Sequence, residues 1–281
     1  MKVAIVAHPG NVQAPPVLRE VCNALEARGI EAVLEKKSAE LIGMKGVERS
    51  WEGAQLVISL GGDGTLLDTV HRMGSCEVPV AGVNIGTLGF LTACTAGDVD
   101  EFAAVLARGE QAVVERAVLQ VHMEDESRVE HKFMALNEVV LMRGGTGRLV
   151  SLEARVNGEL LNHYRADGLI VATPTGSTAY SLAAGGPLIG EQAGVFVITP
   201  ICPHSLSDRS LVLEDDSVIE VAANGTHSEA ILFTVDGRDV LGLGEGSVVR
   251  IEKGPTPLQL VRFPDHSFYG TLRGKLGWSG G

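Results

Sequence analysis

Short, unbroken apolar runs alternate with segments of helical spacing through the first hundred residues of the chain. Such runs are typical of buried strands, and apolar residues three and four positions apart are typical of helices. The pattern predicts strands at 2–8, 32–35, 56–60 and 78–84, with helices at 15–28, 65–73 and 98–107. Strands and helices that alternate in this order favour a doubly wound parallel sheet, that is, a Rossmann-like α/β domain.

The pattern changes at Gln111, after which apolar and polar residues alternate singly. Segments with this period of two recur at 113–122, 133–142, 149–157, 168–172, 195–199, 217–222, 230–235 and 247–252. Turns rich in Gly, Asn and Asp separate most of them, which is typical of antiparallel sheets. Two further segments, 178–184 and 265–278, have helical spacing instead.

These patterns together predict an α+β protein of two domains. An α/β domain over residues 1–110 is followed by a β-rich domain over 111–256. The segment 257–281 is expected to return and pack on the first domain. Two ordinary domains fit a chain of 281 residues.

Composition narrows the class of protein. Hydrophobic residues make up 45% and charged residues 21%, which is typical of a globular chain. The net charge is −12 without a cluster of Lys and Arg, so nucleic acids and anionic membranes are disfavoured as partners. No apolar stretch approaches the roughly 20 residues of a membrane span. Four scattered cysteines without a CxxC pair indicate reduced thiols, and we expect a cytoplasmic protein.

The sequence Gly61-Gly62-Asp63-Gly64-Thr65 follows the predicted strand 56–60 directly. A strand, a glycine turn and a helix start leave backbone N–H groups open at one spot, which suits a phosphate. A carboxylate beside a phosphate is unfavourable unless it binds a metal or takes a proton from an attacking hydroxyl. Both alternatives indicate phosphoryl transfer, with Asp63 as the reactive group.

A second cluster of small polar residues, Thr173-Pro174-Thr175-Gly176-Ser177-Thr178-Ala179-Tyr180, follows the predicted strand 168–172. Its hydroxyl groups and its backbone could donate to a phosphate or a ribose. The alternative is a helix N-cap with surplus Ser and Thr. The cluster lacks the spacing and the Lys of a P-loop, so P-loop chemistry is excluded.

Asn137-Glu138 interrupts an apolar strand. Because adjacent residues of a strand face opposite sides, at least one of the two should point into the interior or a cleft. A buried carboxylate needs an ion partner, a metal or ligand hydroxyls; the alternative is a strand edge exposed to water. Asp167-Gly168 and Asp236-Gly237 are by themselves typical of turns.

The segment 84–91 places Asn84 and two glycines at the end of a predicted parallel strand, where open α/β sheets bind ligands. Phe90 in this segment could stack on a base, although a phenylalanine in such a run is more often part of the core.

Together these motifs resemble those of the NAD kinases, which phosphorylate the 2′-hydroxyl of the adenosine ribose of NAD to give NADP. The resemblance covers most of the chain. The matching stretches are Gly61–Thr65, Asn84–Leu91, Leu136–Val139, Asp167–Gly168, Thr173–Tyr180, Pro203–Arg209, Asp236–Gly237 and Leu272–Trp278. A lone GGDGT is also found in lipid kinases, whereas the full set in this order is specific.

The resemblance implies a role for each motif. Asp63 would be the general base, Gly64 would leave room for phosphates, and Mg²⁺ or another divalent cation would bridge the phosphates of ATP. NAD would be held by residues from the other motifs, with stacking from Phe90 and Tyr180 and with two arginines facing phosphate charge. The implied contacts are Asp63, Gly64, Phe90, Asn137, Glu138, Arg148, Arg165, Asp167, Thr178, Ala179, Tyr180, Ser181, Ala183 and Asp236.

The resemblance also implies a site in the cleft between the two domains, with Asp167 and residues 178–180 framing the adenine. It implies a homodimer or homotetramer. Inorganic polyphosphate in place of ATP and NADH in place of NAD both stay open. Two rival functions remain: a lipid kinase of the diacylglycerol type, which should carry a membrane-binding surface, and a non-catalytic NAD(P)-binding sensor, which would not need Asp63.

Overall fold

The computed structural model describes residues 1–86, 88–124, 129–145, 148–223, 231–244, 246–263 and 267–278. Thr87, Ala230, Asp265 and His266, which belong to predicted segments, lie outside the described residues. Internal contacts divide the chain into two compact units. The first unit is Met1–Glu115 with Leu258–Gly281, and the second is Arg116–Pro257.

The first unit is built on a seven-stranded sheet with the order β2-β1-β3-β4-β19-β6, and β5 pairs with β4. Its strands are β1 (Lys2–Ala7), β2 (Glu31–Leu34), β3 (Leu56–Gly61), β4 (Val80–Asn84), β5 (Thr92–Thr95), β6 (Ala112–Arg116) and β19 (Leu258–Arg262). Strands β1 to β5 and β19 pair in parallel. Strand β3 is buried along its whole length, which explains its unbroken apolar sequence.

The helices of this unit are α1 (Ala14–Glu26), α2 (Lys36–Glu40), α3 (Asp63–Met73), α4 (Val99–Arg108) and α6 (Phe268–Leu276). Apolar faces of α1 and α4 pack on the sheet core, which includes Leu18, Leu25, Phe102 and Leu106. Strand β1 lies between β2 and β3, so the chain changes direction across the sheet at this point. In open α/β sheets, ligands bind at the carboxyl ends of the strands beside such a switch point. Gly61 ends β3 at this place.

The second unit consists of two six-stranded antiparallel sheets. One has the order β11-β10-β15-β18-β7-β8 and the other β14-β13-β12-β9-β16-β17. The strands are β7 (Leu119–Glu124), β8 (Glu130–Ala135), β9 (Glu138–Met142), β10 (Val150–Val156), β11 (Glu159–Ala166), β12 (Gly168–Ala172), β13 (Val195–Ile201), β14 (Leu211–Glu214), β15 (Ile219–Ala223), β16 (Ile231–Val235), β17 (Arg238–Leu243) and β18 (Val248–Lys253).

Alternating residues of both sheets fill one core, which includes Leu152, Val221, Val171 and Phe196. A 3₁₀ turn (Gly176–Thr178) and a short helix, α5 (Tyr180–Ala183), follow β12. The predicted class, an α/β domain with a Rossmann-like parallel sheet joined to a β-rich domain, is confirmed. Among the residues that the structure describes, no helix has the length and apolarity that crossing a membrane requires.

Some elements differ from the prediction. The alternating run 113–122 splits into β6, in the first unit's sheet, and β7, in the second unit. The change from one unit to the other therefore falls at Glu115–Arg116 rather than at residue 110. Strand β19 was not predicted, and it joins β4 through the pair Leu260 and Val80. In place of a helix over 178–184, the structure has a 3₁₀ turn followed by one helical turn.

Candidate functional site

The turn after β3 opens the start of α3. Gly62 is the N-cap residue, and α3 begins at Asp63. A Cβ on Gly61 would lie 2.1 Å from Oγ1 of Thr65, so this glycine is required by packing. A Cβ on Gly62 or Gly64 would meet nothing within 4 Å. Gly62 and Gly64, which flank Asp63, therefore leave open space at the helix N-terminus, where an anion is stabilised by free N–H groups.

The carboxylate of Asp63 is held by the loop that follows β4. Its Oδ2 accepts the backbone N–H of Phe90 at 2.9 Å, and its Oδ1 accepts that of Leu91 at 3.0 Å. Gly89 passes so close that a Cβ there would lie 2.1 Å from Oδ1. Each carboxylate oxygen keeps a lone pair for a further contact. The structure thus fixes the orientation of the carboxylate and leaves it able to accept a proton.

The segment 84–91 builds this loop through its own polar groups. Oδ1 of Asn84 accepts the N–H of Gly86 at 2.7 Å, and Oγ1 of Thr92 accepts that of Gly89 at 2.9 Å. Asn84 is buried, whereas Phe90 is half-buried. The sequence predicted that this segment lies at the end of a parallel strand, but it did not indicate that its N–H groups bind the Asp63 carboxylate.

In the second unit, Asp236 lies in the turn between β16 and β17 with a positive φ of 49°. Its Oδ2 accepts the N–H of Leu136 at 2.8 Å, and its Oδ1 accepts those of Asn137 at 2.8 Å and Glu138 at 3.0 Å. The N–H of Asp236 in turn donates to the carbonyl of Glu138 at 2.9 Å. The carboxylate therefore shapes the backbone of the Asn137-Glu138 segment, a role that a turn sequence does not indicate.

Both side chains of Asn137-Glu138 are buried, with 9% and 6% of their surface exposed. The water-exposed alternative is thereby excluded. The carboxyl group of Glu138 accepts the backbone N–H of Tyr180. Its Oε2 is buried and has no hydrogen-bond partner among the residues that the structure describes. Burial, and second the charge of Asp236, raise the pKa of Glu138 to about 8.

Most hydroxyl groups of the cluster 173–180 donate to backbone carbonyl groups of the same unit. Oγ1 of Thr173 donates to the carbonyl of Leu136 at 2.6 Å. Oγ of Ser177 donates to the carbonyl of Pro174 at 2.6 Å, and Oγ1 of Thr178 to that of Thr175 at 3.0 Å. These three hydroxyl groups thus stabilise the backbone of their own segment in the unliganded structure, and their role as ligand donors stays a prediction.

The other predicted contacts of this segment differ in accessibility. Tyr180 is 38% exposed as a residue, Ala183 is exposed, and Thr178 and Ala179 are half-buried. Ser181 is fully buried, and its Oγ lies 2.9 Å from Oγ1 of Thr199. Ser181 is thus part of the packing between α5 and β13, whereas Tyr180 is accessible from solvent.

Asp167 and residues 178–180 flank β12 in the chain. Asp167 precedes this strand, and residues 178–180 follow its end. The chain folds back after β12, because Oγ of Ser181 lies 2.9 Å from Oγ1 of Thr199, whose strand partner in β12 is Ile170. That Asp167 and residues 178–180 frame one adenine stays a prediction.

Asp167 has a cationic neighbour that no sequence motif indicates. Nε of Arg143 lies 2.6 Å from Oδ1 of Asp167, and the N–H of Arg143 donates to the carbonyl of Asp167 at 2.8 Å. The antiparallel pairing of Gly168 with Met142 places these two residues side by side. Correct pairing of the two predicted strands would have found it. Arg148 and Arg165, the predicted cations, are exposed.

A divalent cation fits the first site only with help from a substrate. Among the described residues, no group of three or more His, Cys, Asp or Glu side chains could hold a metal ion. Mg²⁺ is commonly bound by one or two carboxylates together with phosphate oxygens and water. Asp63, beside the open helix start, is a carboxylate that suits this arrangement.

Comparison with known proteins identifies the family of both units. The model of the ATP-NAD kinase N-terminal domain matches residues 3–111, and that of the ATP-NAD kinase C-terminal domain matches residues 136–263. The NAD kinase of Gemmatimonas aurantiaca is 38% identical over 283 residues, covering 100% of this chain and 97% of that protein. The NAD kinase of Symbiobacterium thermophilum is 39% identical over 280 residues, covering 98% of each.

Solved structures show the same architecture. Yeast NADH kinase complexed with NADH superposes with a TM-score of 0.93 at 26% identity, covering 100% of this chain and 89% of that chain. An NAD kinase from Archaeoglobus fulgidus in complex with ATP gives a TM-score of 0.77 at 26% identity, with 100% of both chains covered. By both of its domains and by relatives that match along its full length, the chain belongs to the NAD kinase family.

Proposed function

We propose that the protein transfers the γ-phosphoryl group of ATP to the 2′-hydroxyl of the adenosine ribose of NAD, which gives NADP and ADP. The observation that carries this proposal is the Asp63 carboxylate, which is fixed at an open helix start between two glycines that leave space for phosphates. The family supports the substrates, since relatives are NAD kinases and one solved neighbour contains ATP.

In the proposed reaction Asp63 accepts the proton of the 2′-hydroxyl while that oxygen forms its bond to the γ-phosphorus. The bond from this phosphorus to the β,γ-bridging oxygen breaks, and ADP leaves. General-base catalysis of this kind contributes typically about 10²–10⁴-fold. When bound, Mg²⁺ would neutralise charge on the phosphates, with Asp63 as the carboxylate available to it.

The second unit would hold NAD through Asn137 and Glu138, whose buried polar atoms favour a hydroxyl-bearing ligand. The exposed ring of Tyr180 would stack on a base, as would Phe90. Asp167, Arg148 and Arg165 stay proposed contacts, as do Thr178, Ala179, Ser181, Ala183 and Asp236. We also propose that the protein is cytoplasmic and forms a homodimer or homotetramer. Light scattering on the purified protein, which measures the molar mass of the assembly, tests the oligomeric state.

The proposal is tested by an assay of NADP formation with NAD, ATP and Mg²⁺, in parallel with NADH as acceptor and polyphosphate as donor. Formation of NADP from NAD and ATP is the expected result. Retained NAD binding without turnover by any donor would contradict it and would favour the sensor function. Turnover of a diacylglycerol with cosedimentation on vesicles would favour the lipid kinase.

A further inference from the structure

The Glu138 carboxyl group has one satisfied oxygen and one unsatisfied oxygen. The backbone N–H of Tyr180 donates to the group, whereas Oε2 is buried and has no partner among the described residues. A buried acceptor without a hydrogen bond is unfavourable, and an unpaired buried charge is more so. Oε2 is therefore a position that a proton, a ligand atom or both should occupy.

The neighbouring carboxylate argues for a proton. The Asp236 carboxylate accepts three backbone N–H groups, from Leu136, Asn137 and Glu138, and these donors favour its ionised form. One of those donors is the backbone of Glu138 itself, so the two acidic residues are adjacent. The negative charge of Asp236 disfavours a second negative charge on the buried Glu138 carboxyl group.

Other groups on the surrounding elements do not reverse this argument. Arg238 begins β17, two residues after Asp236. The Tyr180 phenol lies on α5, and β12 contributes Ala172 opposite Glu138. The charge of Asp236 acts on Glu138 and favours the neutral acid. Burial acts in the same direction and more strongly.

We propose that Glu138 works as a neutral carboxylic acid that donates the proton on Oε2 to an oxygen acceptor of the bound dinucleotide. Asp236 is then a positioning residue: it shapes the backbone at Glu138 and keeps the acid neutral. This inference rests on the proposed function, because the dinucleotide is NAD. It adds a chemical requirement, since the ligand atom at Oε2 must accept a hydrogen bond and not only donate one.

A pH dependence of binding follows. Below the pKa of about 8 the acid keeps its proton and donates, and above it the donor is lost and a buried negative charge appears. The affinity for NAD is therefore constant between about pH 6 and 7.5 and falls by more than about tenfold by pH 9.5. In the Glu138→Gln variant, the N–H of Tyr180 needs an acceptor and therefore pairs with the oxygen of the glutamine amide. The NH₂ group of the amide then takes the place of Oε2, so a donor is kept at that position.

The test is calorimetric titration of the full chain with NAD across this pH range, for the parent and for Glu138→Gln. We expect a fall at high pH in the parent only, with affinities within about threefold of each other at neutral pH, because each presents a donor. An affinity of the parent that stays constant to pH 9.5 would overturn the inference, as would a Glu138→Gln variant with the same fall.

Infrared difference spectroscopy on the unliganded protein keeps the test independent of NAD binding and of the variant's folding. A protonated carboxyl band should be present at neutral pH, disappear at high pH, and be absent from Glu138→Gln. Absence of the band from the parent contradicts the inference. Failure of the parent to bind NAD at every pH contradicts the proposed function instead, and the band then still decides the state of Glu138.

Discussion

Gly89 and Asp63 are in such close contact that any side chain at position 89 would have to displace the carboxylate. The Cβ of an alanine there would lie 2.1 Å from Oδ1 and 2.6 Å from Cγ of Asp63. Neighbouring N–H groups of the same loop hold both carboxylate oxygens. Two separate sequence motifs thus form one structural unit, in which the loop after β4 orients the acidic residue after β3.

Gly89→Ala should lower kcat by roughly 10²-fold, because a displacement of about 1 Å at a reacting group can cost that much. Asp63 keeps its carboxylate in this variant and loses only its position. Steady-state kinetics of NADP formation provide the measurement. A matched control is Gly97→Ala, where the added Cβ would lie at an ordinary 3.8 Å from Oγ1 of Thr95. Equal rates for both variants would show that the Gly89–Asp63 contact does not matter.

Asp236→Asn should destabilise the second unit by about 2 kcal/mol. An amide that accepts from Asn137 and Glu138 through its oxygen turns its NH₂ toward the N–H of Leu136, which leaves that donor unpaired. Urea unfolding of the two proteins measures the loss. Asp216→Asn, an exposed position on the turn after β14, is the control and should change stability by less than about 0.5 kcal/mol. No difference between the two variants would contradict the role of Asp236.

Stability should fall with rising pH in a way that depends on Glu138. Its pKa is raised from 4.5 to about 8 in the folded protein, so the folded state holds a proton that the unfolded chain has lost. The contribution of this proton to the free energy of unfolding is fully present below pH 4.5. It is lost as the pH rises to about 8, at no more than about 1.4 kcal/mol per pH unit.

The measurement is the free energy of unfolding of the parent minus that of Glu138→Gln, at several pH values. The difference should decrease between about pH 5 and 8 and then become constant. A difference that is constant over this range, or that increases, would show that Glu138 is ionised in the folded protein.

The fold was largely predictable because periodicity is a local property. Unbroken apolar runs predicted the buried parallel strands, and the period of two predicted the antiparallel unit. Strand β19 was not predicted, because its partner, β4, lies far away in the chain. Nothing in residues 258–262 indicates which sheet they join. The split of the run 113–122 escaped for the same reason, since β6 and β7 share one pattern but not one sheet.

The sequence indicates candidate site residues where a motif carries reactive side chains, and not where backbone groups make the contacts. Asp63 and Glu138 stood out as carboxylates in unusual places. The N–H donors that hold Asp63 and Asp236 have no sequence signature, because every residue except proline has one. Arg143 was missed because its partner, Asp167, is adjacent only through the pairing of two strands.

Asp63→Asn tests the central claim most directly, but its amide would also turn an NH₂ group toward the N–H of Phe90 or Leu91. Single-turnover formation of NADP with saturating NAD, ATP and Mg²⁺ should therefore be compared in the parent, Asp63→Asn and Gly89→Ala, with NAD affinity measured in each. A rate lowered by about 10²–10⁴-fold in Asp63→Asn, beyond that of Gly89→Ala and with NAD still bound, is the expected result. A near-normal rate in Asp63→Asn would contradict its role as the general base.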